Sequence, residues 1–295
     1  MQHSVTAHAD HIAKLKAARK PILAIAELVW NAFDADARRV DVVLTPGKLG
    51  VLDSIEVIDD GHGMSPDRAK SSFSGLGGSW KRMATRTEHD NRAIHGKEGR
   101  GRFKALGLGR VVDWFVCYPR SKQLAKFQVQ IVDDYADKFD ITPDKPEPAA
   151  TGDKRGVRVR ISEIYRPLPS LERDGAVLEL TQNFAIYLRK YKSAKLFYNN
   201  EQIDPASVEE HSAVYPIDTI VLKDGLSHAV ELEIVEWKVA AERRLYLCDA
   251  DGFPLDEMAP GIQAPGFTFS AYLKSTAFKV LENEHGLGLG DLAGR

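Results

Sequence analysis

The chain has 295 residues, enough for one large domain or two modest ones with real cores. Its 40 lysines and arginines against 42 acidic residues leave a net charge of −2, which is no general electrostatic footprint for nucleic acid, although a local basic patch stays open. No apolar run reaches the roughly 18 residues of a membrane span, and the N-terminus lacks a signal-peptide pattern. Cys117 and Cys248 read as reduced core residues, and a cytoplasmic protein is expected.

The first strong element runs from Pro21 to Ala35. Pro21 suits the first turn of a helix, and nearly every residue after it is apolar, as in a buried helix. Glu27, Asn31 and Asp34 break the pattern at i, i+4 and i+7 and therefore share one stripe. An unpartnered buried carboxylate is costly, so the stripe must face a polar cavity, a cation or solvent. A solvated edge of an amphipathic helix is the plainer alternative.

A strand is predicted over Val40–Leu44 and another over Ile55–Asp59, ending in Asp59-Asp60-Gly61-His62-Gly63-Met64. Taken alone, that ending reads as a turn. A buried Asp at a strand end can also accept from the exocyclic amine of adenine, with glycines permitting close approach of the base. Gly75, Gly77 and Gly78 then lead into the polar run Lys81–Arg92, which reads as a mobile loop: an ordinary surface loop or a lid.

Gly96-Lys97-Glu98-Gly99-Arg100-Gly101 precedes a predicted helix over Arg102–Leu108. Free N–H groups and a positive dipole end would suit phosphates, with Lys97, Arg100, Arg102 and Lys104 adding charge. The spacing is neither a P-loop nor a dinucleotide fingerprint. Further strands are predicted at Val111–Cys117, Phe127–Val132 and Val157–Ile161, with Asp133–Arg155 as an exposed connection. A helix over Leu178–Lys192 is followed by a hairpin over Lys195–Ile203 with an Asn199-Asn200 turn. A second part begins near Pro216, with strands at Val230–Val239, Arg244–Cys248 and Phe267–Leu273. The loop-like tail Gly286–Asp291 suggests the N-terminal portion of a longer protein.

Glu27 and Asn31 in E-x-x-x-N, Asp59 to Gly63 in D-x-G-x-G, and Gly96 to Gly101 in G-x-x-G-x-G resemble the GHKL superfamily of gyrase B, heat-shock chaperones, histidine kinases and MutL, over roughly residues 15–165. Gly77-Gly78-Ser79-Trp80-Lys81 and Gly99–Lys104 look most like MORC and related ATPases. The resemblance implies a Bergerat-type α/β fold: a two-layer sandwich, a mixed sheet with helices on one face, spanning residues 1–212. A smaller, incomplete α/β transducer-like domain would occupy 213–295. It also implies ATP and Mg²⁺ as cofactors, with Glu27 the general base, Asn31 the Mg²⁺ ligand, Asp59 the adenine contact and Met64 packing on the base.

By the same resemblance Gly96, Gly99 and Gly101 would wrap the phosphates, and Asp34, Gly61, Gly63, Ser79, Lys81, Lys97, Arg100, Phe103, Lys104 and Val157 would complete the ATP site. A lid at about 75–95 would close over it. Val157 stands where the family usually has a threonine, and Thr151 is a substitute near in sequence. Lys274 and Lys279 are candidates for a lysine reaching the γ-phosphate. The expected activity is an ATPase that closes its lid and dimerises with nucleotide, acting in DNA transactions or defence by analogy. The alternatives are a chaperone-like ATPase or an ATP-switched clamp with negligible turnover. A sensor kinase fits poorly, because His11 lies only 16 residues before Glu27.

Overall fold

The computed structural model describes residues 2–5, 20–48, 50–74, 86–95, 101–222, 225–262 and 264–285. The chain divides into two units, 1–180 with 191–203, and 181–190 with 204–295. The boundary expected at 212 thus falls nearer 204, and the last turns of one helix group with the second unit.

In chain order the first unit contains β1 (Gln2–Ser4), α1 (Pro21–Asp34), β2 (Arg39–Pro46), β3 (Leu52–Asp59), α2 (Pro66–Ser74) and the short α3 (Gly101–Ala105). Next come β4 (Gly109–Arg120), β5 (Gln123–Val132), β6 (Lys138–Pro148), β7 (Gly156–Ile164) and α4 (Pro169–Glu172). Helix α5 (Asp174–Lys190) then begins in this unit, and β8 (Lys195–Tyr198) and β9 (Glu201–Ile203) end it. The nine strands form one mixed sheet in the order β1-β6-β5-β4-β7-β3-β2-β8-β9, antiparallel except for the β2–β8 pair.

Alternation sets the two faces of this sheet. Val40, Val42, Ile55, Val57, Val112, Trp114, Val116, Phe127, Val129, Val159 and Ile161 are buried on one face. Phe73 of α2 meets Trp114 edge-on with ring centroids 5.0 Å apart, which identifies that face as the helix-covered one. The intervening Arg39, Asp41, Phe115, Cys117, Gln128 and Arg158 belong to the other face. A mixed α/β fold with helices layered on a large sheet is the arrangement expected from the sequence.

Two elements differ from the sequence reading. Asp133–Arg155 is not merely an exposed connection, because β6 lies within it and pairs with β5 and β1. Its apolar residues Phe139 and Ile141 are buried, and two ordered neighbours outweigh the low strand propensity of its Asp, Lys and Pro. The helix predicted over Arg102–Leu108 is shorter and ends at Ala105, where a turn leads into β4. The Asn199-Asn200 hairpin is as expected, with both residues at positive φ (48° and 70°), as a tight two-residue turn demands.

The second unit holds the end of α5, α6 (Pro205–Val208), β10 (Glu209–Val221), β11 (Ser227–Trp237), β12 (Arg244–Cys248), β13 (Pro254–Met258), β14 (Phe269–Lys274) and α7 (Thr276–His285). Its five strands are ordered β10-β11-β14-β12-β13. Ala185, Ile186, Val235, Trp237, Tyr246, Cys248 and Tyr272 form its core. Lys274 is bound within its own sheet by Glu233 at 2.6 Å and Glu231 at 2.9 Å. Burial alone would lower its pKa, but these carboxylates outweigh burial and raise it. Among the described residues no helix is long and apolar enough to cross a membrane.

Candidate functional site

Helix α1 starts at Pro21 without a side-chain cap and buries Ile22, Ala24, Ile25, Ala26, Leu28, Val29, Trp30, Ala32 and Phe33. Glu27 stays half-buried and Asn31, four residues on, is exposed, so the two present one polar strip on an otherwise buried helix. Lys104 of α3 reaches this strip and pairs with the Glu27 carboxylate. Asp34 does not share the open face. The last turn of α1 runs beneath residues 92–95, and Asp34, 3% exposed, accepts the His95 N–H at 2.8 Å. It therefore braces the backbone at the residue before the glycine segment, and Trp30 stacks on the His95 ring at 4.6 Å.

Asp59 follows Ile55 and Val57 in the alternation of β3, which directs its side chain to the helix-covered face. Its Oδ1 accepts from the N–H of Gly61 at 2.8 Å and of Val157 at 3.2 Å. Among the described residues no partner falls on Oδ2, which leaves that oxygen for a donor on a ligand. Burial pushes the Asp59 carboxyl up to about 7, against the lowering effect of these two N–H groups. Val157 thus holds Asp59 through its backbone, a contact that needs no hydroxyl, while Thr151 sits exposed in the turn after β6.

Gly156 makes this arrangement possible. At φ 134° a Cβ on residue 156 would stand 1.9 Å from the Asp59 carbonyl oxygen. Gly156→Ala is therefore expected to destabilise the protein by at least about 2 kcal/mol and to displace Asp59. A urea midpoint equal to that of the parent would remove this account.

A cavity of about 710 Å³ touches Asp59, but it opens on the sheet face away from the helices, among Arg39, Phe115, Lys126, Gln128 and Arg158. Glu27, Asn31, Met64 and Phe103 do not line it. The alternation of β3 is the better guide to the Asp59 carboxylate, and the cavity meets this strand end from behind.

The described part of the predicted loop, residues 86–95, is packed rather than free. Arg92 is 1% exposed and donates to the Ala37 carbonyl at 2.8 Å, and the Ala93 N–H donates to the Tyr191 hydroxyl. Asp36, at φ 58° just past α1, gathers the segment: it accepts from the N–H groups of His89 (3.0 Å) and Asp90 (3.2 Å) and from His62 (3.1 Å). Burial would raise the Asp36 carboxyl, but the bonds from Thr87, His89, His62 and Asp90 outweigh it and keep it below its ordinary value. Sequence reasoning missed this hub because its members are polar and far apart in the chain. The doubled acid Asp34-Ala35-Asp36 after an apolar helix was the available signal.

Ser79, Lys81, Gly96, Lys97, Gly99 and Arg100 lie outside the described residues, as do Gly75 to Thr85 of the expected lid and the 286–295 tail. Gly101 opens α3. Phe103, wholly buried, is a core residue that seats α3 rather than a side chain open to ligand. Met64 is half-buried just after Gly63.

The motif-bearing strip of α1, the strand-end Asp and the α3 lysine thus come from one contiguous stretch of chain. Residues 20–149 match a family model described as histidine kinase-, DNA gyrase B-, and HSP90-like ATPase. This segment is a GHKL domain. Curated relatives agree: a DNA mismatch repair protein MutL from Phocaeicola vulgatus is 48% identical over 66 residues, 22% of this chain and 10% of that protein. One from Paramagnetospirillum magneticum is 48% identical over 58 residues, 20% of this chain and 9% of the relative. The matched segment spans about a tenth of these relatives. The likeness to MORC rests on residues 77–81 and 99–104, most of them outside the described residues.

Proposed function

We propose that the GHKL domain binds Mg-ATP between the Glu27–Asn31 strip, the Asp59 turn and the 96–101 segment, and hydrolyses it. The observation that carries this reading is the strip itself: a half-buried carboxylate and an exposed amide one turn apart on a helix whose other faces are buried. Glu27 is the base that orients and deprotonates the attacking water. The exposed Asn31 amide suits Mg²⁺, which takes few protein oxygens and keeps several waters. When bound, Mg²⁺ neutralises charge on the phosphate oxygens. Asp59 takes the adenine amine on Oδ2. Lys104, already at Glu27, would meet the terminal phosphate beside that base.

The protein is proposed to act in a DNA transaction, closing a lid at about 75–95 over the nucleotide and dimerising; the support is the likeness to MutL proteins named for DNA mismatch repair. A second reading, an ATP-switched clamp with negligible turnover, is favoured by one observation: the Glu27 carboxylate is held by Lys104, and a paired base is a poor base until it is released.

Phosphate release and ATP affinity measured in one preparation separate the two readings. Turnover that rises with Mg²⁺ supports hydrolysis, and tight binding without phosphate release supports the clamp. Asn31→Ala is expected to weaken Mg-ATP binding about tenfold and to raise the Mg²⁺ needed for half-maximal binding. An unchanged Mg²⁺ dependence would remove Asn31 from the site.

A further inference from the structure

The geometry points to a transition-metal site at Asp36, His62 and His89, distinct from the nucleotide's magnesium and resting on these three side chains alone. His62 comes from the turn after β3 and His89 from the loop that packs on it. Their rings lie 4.2 Å apart, and both turn a nitrogen to the same carboxylate oxygen. His62 Nε2 is 3.1 Å and His89 Nδ1 3.9 Å from Asp36 Oδ2, and the three donor atoms all lie within 4.8 Å of one another. Donors bonded at about 2.0–2.2 Å to a tetrahedral Zn²⁺ stand about 3.4 Å apart. The His89 side chain, 63% exposed, is free to make the small rotation that closes the difference.

The surroundings orient the donors for such an ion. Asp36 is buried, and its Oδ1 is taken by the Asp90 N–H at 3.2 Å and faces the Arg92 guanidinium at 3.7 Å. Oδ2 accepts the His89 N–H at 3.0 Å, which fixes its direction and leaves its second lone pair toward the two imidazoles, as a ligating carboxylate held by outer partners should be. The Arg92 charge opposes a cation, but Asp90 stands 3.5 Å from the same guanidinium and offsets it. Arg38, paired with Asp90 at 3.0 Å, points its charge outward, being largely exposed.

Two imidazoles and one carboxylate select a borderline ion such as Zn²⁺, Co²⁺ or Ni²⁺ over Mg²⁺ or Ca²⁺, which prefer all-oxygen shells. Three protein ligands leave a position toward solvent on the His89 side. A bound ion would clamp residue 89 to the turn between Gly61 and Gly63, fixing the described end of the 75–95 segment against the strand that carries Asp59.

The test uses the full chain, stripped with chelator, without nucleotide, and titrated with Co²⁺ and then with Zn²⁺ alone. One Co²⁺ per chain should bind with visible d–d absorption, resist millimolar Mg²⁺ and be displaced by Zn²⁺. His89→Gln and His62→Gln should each weaken Zn²⁺ binding by about tenfold or more. His211→Gln, on the exposed strand β10 of the other unit, should change nothing. His89 is exposed, so its variant folds, and circular dichroism checks this for both. Absence of d–d absorption in the parent, or Zn²⁺ affinity equal in parent, His62→Gln and His89→Gln, overturns the site. Neither result bears on ATP binding.

Discussion

Glu27→Ala is expected to leave ATP bound and to lower its turnover by about 10²–10⁴-fold, the usual contribution of a positioned general base. The expectation follows from where Glu27 stands. It is half-buried on α1, its neighbours Ala26 and Leu28 are core residues, and its carboxylate pairs with Lys104. Asp59 is held by the backbone N–H groups of Gly61 and Val157, which are the bonds that fix the base pocket. Helix stability should hardly suffer, because Ala is the better helix former. ATP affinity within a few-fold of the parent, with phosphate release lost, is the predicted pair of results. Parent-level turnover in Glu27→Ala would deny Glu27 its role, and loss of binding would make it an anchor instead.

The Lys104–Glu27 pair bears on how such a base would be freed to act. A carboxylate that already accepts from an ammonium is turned away from an attacking water. Lys104 leaves Glu27 only if something more negative competes for it, and a triphosphate does. Arrival of substrate would thus release the base at the moment it is required. Asp34 contributes at one remove. Its buried carboxylate fixes the His95 backbone and so sets where the chain enters the glycine segment.

The sequence made the local signals legible and left the long-range ones hidden. Periodicity located α1 and the polar Glu27–Asn31 strip because helix spacing is a local property of the chain. The Asn199-Asn200 turn was equally legible, since two consecutive positive φ values restrict residue choice. Strand β6 was not, because its place in the sheet comes from β5 and β1 on either side and not from its own Asp, Lys and Pro. The polar run ending at Arg92 looked solvated, yet Arg92 is buried, because Ala37 and Asp36, some fifty residues earlier, supply an acceptor and a countercharge. Nor could spacing tell Asp34 from Asn31: they share a stripe, and only the segment crossing the last turn of α1 separates a brace from an open site. Val157 looked like a lost hydroxyl, and the structure shows its N–H making the bond to Asp59.

Asp59→Asn should weaken ATP about ten- to hundredfold, the equivalent of losing a hydrogen bond to a charged acceptor at about 1.5–3 kcal/mol, and should narrow the preference over GTP. Gly61 and Val157 hold Oδ1 from two sides, so the oxygen of the substituted amide would take that place and turn its NH₂ to the ligand. There it meets the adenine amine donor to donor, whereas guanine offers a carbonyl oxygen at the same position. The change also carries a pH signature. Burial raises the Asp59 carboxyl to about 7, so the free protein holds a proton there that an unfolded chain has already released above its ordinary value near 3.8. The folded state binds more protons across that window, so stability of the nucleotide-free protein falls as pH rises from about 4 to about 7 and is level above it. The amide of Asp59→Asn cannot titrate, and the variant should lose this part of the slope and be the more stable protein above pH 7. ATP, by favouring the ionised acceptor, should bind the parent more tightly as pH rises through 7, over and above any trend shown by the variant. Competition of ATP and GTP, with urea midpoints at pH 5 and pH 8, checks all three consequences. An unchanged nucleotide preference together with parallel pH profiles would take Asp59 out of the base pocket.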